Sequence, residues 1–159
     1  MSRILAIDPG PERSAFLQWS EGEIIAYGIE DNLAVLNMVR GISVSDEVYL
    51  AIEGISSYGM PVGKETFETC YYVGKCCEAF GGPSTIVLRR DIKLHFCQNS
   101  RAKDANIRQA LIDRFGVPGT KKRPGKLYGI TKDIWSALAI SVYFNDKMQE
   151  KEGKDVGKR

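Results

Sequence analysis

The sequence predicts an α/β protein in which helices flank a mixed β-sheet and the first three strands form a meander. Two nearly continuous apolar runs, at 3–8 and 48–53, are typical of buried central strands. Between them, two strand candidates at 14–20 and 23–29 follow each other directly, whereas helical patterns separate the later strands. This order of elements favours an open mixed sheet with helices on its faces.

Turn and capping residues mark the elements of the first third of the chain. The second and third strands join around Glu21 and Gly22, which favours a hairpin. Asp31 is a candidate N-cap for a helix at 32–40, and Gly41 is placed to close that helix.

Helices, strands and loops alternate in the rest of the chain. The predicted elements are a loop at 54–63, a helix at 64–80, a strand at 84–88, a helical turn at 92–97, a helix at 103–115, a loop at 117–129 and a last helix that begins near Thr131. Beyond Lys147 the sequence is charged and contains glycine, which is typical of a flexible segment. We therefore predict one folded domain at 1–148 and a charged, flexible tail at 149–159, with no internal repeat.

The composition is that of a globular protein. Of the 159 residues, 43% are hydrophobic and 26% are charged, which argues against a disordered or fibrous chain. No apolar run reaches the roughly 18 residues that a membrane-spanning helix needs, and residues 1–7 lead into a strand rather than a secretory signal. We expect a soluble cytoplasmic protein without membrane contact.

The cysteines and the single histidine limit the metal chemistry. Cys70, Cys76, Cys77 and Cys97 include no C-x-x-C pair, so a structural zinc site is not expected. Cys70 and Cys77 lie on one predicted helix, where we expect them to be small buried hydrophobes. His95 has no partners for a catalytic triad and is expected to be structural.

The charge is unevenly distributed along the chain. Residues 1–80 carry 5 Lys and Arg against 12 Asp and Glu, a net charge of −7, whereas residues 81–159 carry 17 against 8, a net charge of +9. Such asymmetry predicts one basic face, for which a polyanion such as nucleic acid is the natural partner. The alternative is a soluble protein whose lysines only serve solvation.

Three acidic residues lie at predicted strand ends or at a helix start, where a carboxylate would need a cation or hydrogen-bond donors as partners. Asp8 and Glu53 end the two apolar strands, and Asp133 lies in the first turn of the last helix. A buried carboxylate is costly unless something pairs with it. If the last helix lies against both strands, the three carboxylates converge on a site for hard cations such as Mg²⁺ or Mn²⁺. The alternative is that each acid caps a turn or a helix, which the helix dipole favours for Asp133.

In order and spacing, these acids and their neighbours resemble the acid motifs of the RuvC-type Holliday junction resolvases, in particular those of phages. The matching segments are Ala6 to Gly10 (AIDPG), Ala51 to Gly54 (AIEG) and Lys132 to Ile140 (KDIWSALAI). The first motif is shared by many RNase H-like and actin-like proteins, so the order of all three carries the resemblance, which spans almost the whole chain. It implies an RNase H-like fold, a homodimer, Mg²⁺- or Mn²⁺-dependent nicking of four-way DNA junctions and, for a phage protein, the cytoplasm of the host cell.

By this resemblance Asp8, Glu53 and Asp133 are catalytic metal ligands for one or two ions. The sequence departs from the family at Ser136, where a second acid commonly follows the first by three residues. A hydroxyl is a weaker ligand for Mg²⁺ than a carboxylate, so a second ion would be held weakly or not at all. The chain is therefore either an enzyme with three acids or a variant with impaired cleavage.

Two basic segments are candidates for contacts with DNA phosphates. The first precedes Asp133 directly and comprises Lys121, Lys122, Arg123, Lys126 and Lys132. The second comprises Arg89, Arg90, Lys93, Arg101 and Lys103. Lys132, or a lysine of the loop, is also a catalytic candidate because a cation there would stabilise charge on the scissile phosphate.

The segment after Glu53 contains the aromatic candidates. In the resembling family an aromatic side chain near this acid is thought to wedge between unpaired bases, and Tyr58 or Phe67 is the nearest match. The helix at 64–80 has more apolar surface than one face needs, which favours a homodimer through this helix; a bulky core helix is the alternative.

Other functional hypotheses stay open. The leading one is an endonuclease for branched DNA, and the second is a junction-binding protein with weak or no cleavage, because of Ser136. The third is a YqgF-like relative acting on RNA. An actin-like nucleotide-binding protein is disfavoured by the short chain and by the lack of glycine-rich phosphate loops. The sequence leaves a host branch-migration partner open.

Overall fold

The computed structural model describes residues 3–43 and 47–156, and for Val156 only the backbone. Seven strands and five helices occur in these ranges. They are β1 (Arg3–Asp8), β2 (Arg13–Ser20), β3 (Glu23–Asp31), α1 (Asn32–Arg40), β4 (Val48–Gly54), α2 (Lys64–Phe80), β5 (Ser84–Leu88), α3 (Arg89–Cys97), α4 (Asp104–Phe115), β6 (Gly119–Thr120), β7 (Arg123–Pro124) and α5 (Ile134–Val156).

The main sheet has five strands in the order β3-β2-β1-β4-β5. The meander of β1, β2 and β3 is antiparallel, whereas β4 and β5 extend the sheet in parallel with β1. The predicted mixed sheet with an initial meander is therefore confirmed. The two apolar runs form the central pair β1 and β4, as expected for strands covered on both faces.

Helices cover the two faces of the sheet. Alternate residues of β1 point to opposite faces, so Leu5 and Ile7 pack with α1 and α2, whereas Ile4 and Ala6 pack with α3, α4 and α5. Asp8 continues the series of Ile4 and Ala6, and therefore lies on the face of α5.

Some local predictions differ from the structure. Helix α3 begins at Arg89, three residues before the predicted turn, because no glycine or proline separates it from β5. Two short strands, β6 and β7, form a hairpin within the predicted loop at 117–129. Asp31 occupies the N-cap position of α1 without a capping hydrogen bond, and its carboxylate lies 3.6 Å from the Nε atom of Arg13.

The charged end of the chain is more regular than predicted. Helix α5 continues to Val156, so the segment beyond Lys147 is helical as far as the structure describes it. The stretch lacks proline, and Lys147 pairs with Glu150 at 2.9 Å, one turn further along the helix. Residues 157–159 of the predicted tail lie outside the described residues.

The cysteine and histidine predictions have mixed outcomes. Cys70 is exposed on α2, contrary to the prediction, and Cys76 is the buried cysteine of this helix because it faces the sheet. The Nε2 atom of His95 lies 2.7 Å from Oδ2 of Asp146. Arg114 donates one hydrogen bond to each carboxylate oxygen of Asp146. The contact between His95 and Asp146 links α3 to α5, so His95 has the expected structural role.

None of the described helices is both long and apolar enough to cross a membrane.

Candidate active site

Asp8 and Glu53 lie side by side because β1 and β4 are parallel neighbours. Ile7 is the register partner of Ile52, so each acid is the next residue on its strand. Both carboxylates are on the face that packs against α5, and Glu53 is buried with 7% of its surface exposed. Gly54 follows, and a Cβ atom there would overlap the Ile86 side chain of β5, so the glycine permits β5 to approach.

Arg89 neutralises Glu53. Its Nε atom donates to Oε1 of Glu53 at 2.7 Å and its Nη2 atom donates to Oε2 at 3.1 Å. Its Nη1 atom donates to Oδ1 of Asp104 at 2.7 Å. The register explains the contact: Gly54 pairs with Leu88, so Arg89 emerges from β5 beside the end of β4. Glu53 and Asp104 in turn raise the pKa of Arg89 further above its usual range, against the effect of burial.

In the part of the chain that the structure describes, no basic side chain forms an ion pair with Asp8, and its pKa is raised to about 8. Burial is the largest cause, followed by the negative charge of Glu53 and by the hydrogen bond between the two carboxyl groups. The charge of Asp133 also raises the pKa, and only Arg89 lowers it. Such a pair of neighbouring carboxyl groups, of which Asp8 is half-buried and Glu53 is buried, is a site at which a cation would be stabilised.

Asp133 flanks this pair without joining it. It is exposed and lies in the turn before α5, where its carbonyl oxygen accepts hydrogen bonds from the N–H groups of Ser136 and Ala137 at 3.0 and 3.2 Å. Within residues 3–43 and 47–156, no three His, Cys, Asp or Glu side chains are close enough together to hold a metal ion. The structure thus brings together two of the three predicted ligands, and the third is near enough to influence Asp8 electrostatically.

The donor chemistry of the site nevertheless fits a hard divalent cation. Asp8 and Glu53 offer only oxygen atoms, which Mg²⁺ and Mn²⁺ prefer. Burial and the negative charge of Glu53 raise the pKa of Asp8, so a bound cation would stabilise its ionised form. Asp8 and Glu53 are the residues that would hold such an ion, and Asp133 flanks them.

A cavity of about 30 Å³ lies beside Ser136, the position of the departure from the family. Its lining comprises Glu53, Arg89, Ile92, Asp104, Ile107, Arg108, Trp135, Ser136 and Ala139. The guanidinium of Arg108 stacks on the Trp135 ring, 4.6 Å from the ring centroid. Sequence reasoning missed Arg108 and Asp104; their spacing of four residues on one helix, which places them on one face, was the available signal.

The second basic segment adjoins the loop after β4. Arg90 and Lys93 line an open cavity of about 310 Å³ together with Tyr58, Arg89 and Ser100. Tyr58 is 66% exposed, and its positive φ of 50° is unusual for a residue other than glycine. The structure therefore places an accessible aromatic ring next to several cations. Arg101 and Lys103 are exposed nearby in the chain, before α4.

The first basic segment divides into parts. Lys121, Lys122 and Arg123 are exposed on the hairpin of β6 and β7, and Lys132 is exposed next to Asp133 with a positive φ of 48°. The ammonium group of Lys126 bonds to the Gly22 carbonyl and, at 2.9 Å, to the Glu23 carboxylate.

The position of Lys126 corrects one expectation. Gly22 lies in the turn between β2 and β3, and Glu23 begins β3. This turn lies at the end of the sheet opposite to Asp8, because Ser20 pairs with Arg3 and Ala15 pairs with Asp8. Lys126 therefore lies at the end of the sheet opposite to Asp8 and Glu53. The segment from 117 to 129 passes this end of the sheet before the chain reaches Asp133.

Helix α2 exposes an apolar stripe. Phe67 and Tyr71 are 54% and 71% exposed, and Cys70 and Gly74 lie between and beyond them on the same side. The opposite side of the helix, with Tyr72, packs on the sheet. Phe67 is in the first turn of α2, close in the chain to the loop that carries Tyr58.

No protein-family model matches this sequence, and no curated protein is similar to it. Solved structures share its fold. A structure of Thermus thermophilus RuvC superposes with a TM-score of 0.63 over 92% of this chain and 96% of that chain, at 13% identity. A structure of T. thermophilus RuvC in complex with a Holliday junction substrate superposes with a TM-score of 0.66 over 93% of this chain and 96% of that chain, also at 13% identity. The chain therefore has the RNase H-like fold found in RuvC.

Proposed function

We propose that this protein is an endonuclease that uses Mg²⁺ or Mn²⁺ to nick Holliday junctions and other branched DNA. The observation that carries the proposal is the pair of neighbouring carboxyl groups of Asp8, which is half-buried, and Glu53, which is buried, at the adjoining ends of β1 and β4. The fold shared with T. thermophilus RuvC, one structure of which holds a Holliday junction substrate, supports the same class of substrate.

The residues of the chain have distinct tasks in this proposal. Asp8, Glu53 and Asp133 hold one or two divalent ions, which when bound would activate water and offset charge on the phosphodiester. Lys132, exposed beside Asp133, contacts the scissile phosphate. Tyr58 stacks on an unpaired base at the branch point, and Arg90 and Lys93 of the same cavity bind the adjoining phosphates.

The remaining exposed cations extend the DNA surface. We assign backbone contacts to Lys121, Lys122 and Arg123 on the hairpin and to Arg101 and Lys103 before α4. Lys126 is left out because its ammonium group is bound to Gly22 and Glu23.

We also propose a homodimer whose subunits meet through the exposed stripe of α2. The exposed side chains Phe67 and Tyr71 have no partner element within the described part of the chain that covers them. A junction has paired strands to be cut, and two symmetric sites would serve them. Phe67, at the start of the stripe, lies either in this interface or beside Tyr58 at the DNA.

Ser136 supports a second candidate, a junction-binding protein that cleaves weakly or not at all. Ser136 faces the cavity beside Glu53 without adding a carboxylate, and Arg89 and Arg108 line the same cavity. Fewer carboxylates next to two guanidinium groups favour weak ion binding.

A nicking assay separates the two candidates. Labelled four-way junction and linear duplex of the same sequence are incubated with the protein in Mg²⁺, Mn²⁺ or EDTA, and junction binding is measured in EDTA. Metal-dependent nicks in the junction, lost in Asp8→Asn, support the nuclease. Tight junction binding without nicks in any metal supports the binding protein, and equal affinity for junction and duplex contradicts both.

A further inference from the structure

Arg89 is the one residue that lines both the cavity beside Ser136 and the open cavity beside Tyr58, among the cavities described above. Its side chain is 35% exposed, whereas the Glu53 side chain that it binds is only 10% exposed. The guanidinium group thus lies between the buried carboxylates and the surface to which we assign DNA phosphates.

The contact occupies both oxygen atoms of Glu53. A divalent cation that binds Glu53 would meet a positive guanidinium group at hydrogen-bond distance from the same carboxylate. Like charges at such a distance repel strongly where water is excluded. Each Glu53 oxygen retains a second lone pair for an ion, and the repulsion between that ion and the guanidinium group favours movement of Arg89 away from Glu53.

A partner is available for the displaced group. Arg90, Lys93 and Tyr58 line the outer cavity, and a phosphate bound there would be within the region that Arg89 already borders. Arginine binds phosphate as well as carboxylate through paired N–H groups, so the exchange conserves the type of hydrogen bond.

We propose that Arg89 is the resident counter-ion of Glu53 in the free protein, and that it leaves Glu53 for a DNA phosphate when the site takes up its divalent cation. This inference rests on the proposed function, because it assumes a metal site at Asp8 and Glu53. DNA binding and metal binding then reinforce each other, since each removes an obstacle to the other.

A second arginine of the chain, Arg114, provides a matched control for an Arg89 variant. Arg114 donates two hydrogen bonds to Asp146, at 2.6 and 2.8 Å, and so makes the same kind of bidentate pair away from the acids. Arg89→Gln and Arg114→Gln remove the same charge and a similar ion pair. Only the first is expected to change the affinity for a metal ion.

The first measurement is Mn²⁺ binding without DNA, followed at pH 8 by the electron paramagnetic resonance signal of free Mn²⁺. We expect Arg89→Gln to bind Mn²⁺ about fivefold more tightly than the wild type, or tighter still, within the usual range of coupling between sites. Arg114→Gln should match the wild type. Equal or weaker binding by Arg89→Gln would overturn the proposal.

The second measurement is junction binding in Ca²⁺, a divalent cation that takes oxygen ligands, and in EDTA, followed by fluorescence anisotropy at several salt concentrations. In Ca²⁺, loss of a phosphate contact in Arg89→Gln should weaken binding and reduce the slope of log affinity against log salt by about 1, whereas in EDTA the variant and the wild type should differ less. An affinity and slope in Ca²⁺ equal to those of the wild type would also overturn the proposal. If Arg89→Gln does not fold by circular dichroism, Arg89→Met replaces it; methionine also removes the positive charge beside Glu53, so tighter Mn²⁺ binding is again expected.

The outcomes distinguish this inference from the proposed function. If the wild type nicks junctions with Mn²⁺ and the arginine variants bind Mn²⁺ no better, only the role of Arg89 is overturned. If neither the wild type nor the variants bind Mn²⁺ in the millimolar range, both the proposed function and the role of Arg89 are overturned.

Discussion

The carboxyl groups of Asp8 and Glu53 lie side by side at the ends of adjacent parallel strands, and the charge of Glu53 raises the pKa of Asp8. Glu53 is neutralised by Arg89, whereas Asp8 depends on a proton or on an added cation. When Asp8 is ionised, its negative charge is therefore not balanced by a neighbouring cation of its own among the described residues. Several measurable properties follow from this.

Asp8→Asn should stabilise the protein at neutral and alkaline pH. The folded-state pKa of Asp8 is raised from 3.8 to about 8, so folding favours the protonated form and Asp8 destabilises the folded state as pH rises from about 4 to 8. An asparagine at this position does not titrate, so the variant does not lose stability in this pH range. We expect a gain of at least about 1 kcal/mol at pH 8, or roughly 2–4 °C in melting temperature.

Thermal melts of both proteins at pH 4.5, 6 and 8 in EDTA test this prediction. The difference in melting temperature should be smallest at pH 4.5 and grow towards pH 8. It should shrink when Mg²⁺ is added at pH 8, because the ion stabilises only the wild type. A constant difference across the pH range would contradict the assigned cause.

Glu53→Gln should abolish nicking while junction binding persists. Loss of a partner that only orients a metal ligand costs about 10–100-fold, so loss of a ligand carboxylate should cost at least as much. Initial nicking rates in Mn²⁺ and anisotropy in EDTA are the two measurements. Full nicking activity in this variant would exclude Glu53 from the site.

Ser136→Asp should raise both Mn²⁺ affinity and the nicking rate. The new carboxylate would enter the cavity that Glu53, Arg89 and Arg108 already line, and would supply the oxygen ligand that the hydroxyl cannot replace. Ser136→Ala is the control and should leave Mn²⁺ affinity unchanged. A Ser136→Asp variant that gains neither property would refute the interpretation of this position.

Tyr58→Ala should weaken junction binding without a change in Mn²⁺ affinity. The ring is exposed beside Arg90 and Lys93, and stacking on one base is worth about 1–3 kcal/mol. Tyr58→Phe keeps the ring and should bind like the wild type in anisotropy titrations. Equal junction affinity for the alanine and phenylalanine variants would remove Tyr58 from the DNA surface.

Tyr71→Glu should convert a dimer into a monomer. A charge in the exposed stripe of α2 would be buried without a partner at the proposed interface. Leu33→Glu is a matched control, because Leu33 is 67% exposed on α1 and lies outside the stripe. Light scattering coupled to size-exclusion chromatography gives the mass of each; a monomeric wild type would contradict the proposed dimer.

The parts of the fold that depend on local pattern were predictable from the sequence. Continuous apolar runs identified β1 and β4, and the acids that end them identified Asp8 and Glu53. The relation of Arg89 to Glu53 was not predictable, because the two residues are 36 positions apart and meet only through the register of β5 on β4.

Position along the chain was a poor guide within the long loop. Lys126 is close to Asp133 in sequence, yet it binds the turn at the far end of the sheet. Its ammonium group also lies over the rings of Trp19 and Phe115, 5.7 and 5.2 Å from the ring centroids, a tertiary contact that no local pattern indicates. The sequence also did not predict that α3 begins at Arg89. Here β5 leads directly into α3, and no glycine, proline or capping residue marks the boundary between strand and helix.

Gly54 has an effect beyond its own backbone. Because it carries no side chain, β5 can lie close enough to β4 for Leu88 to pair with it, and the chain then enters α3 with Arg89 beside Glu53. A methyl group at this position would overlap the Cγ2 atom of Ile86, so the Ile86 side chain or β5 itself would have to shift. Where β5 shifts, Arg89 moves relative to Glu53, and a single uncharged substitution would thereby change the proposed affinity for divalent ions.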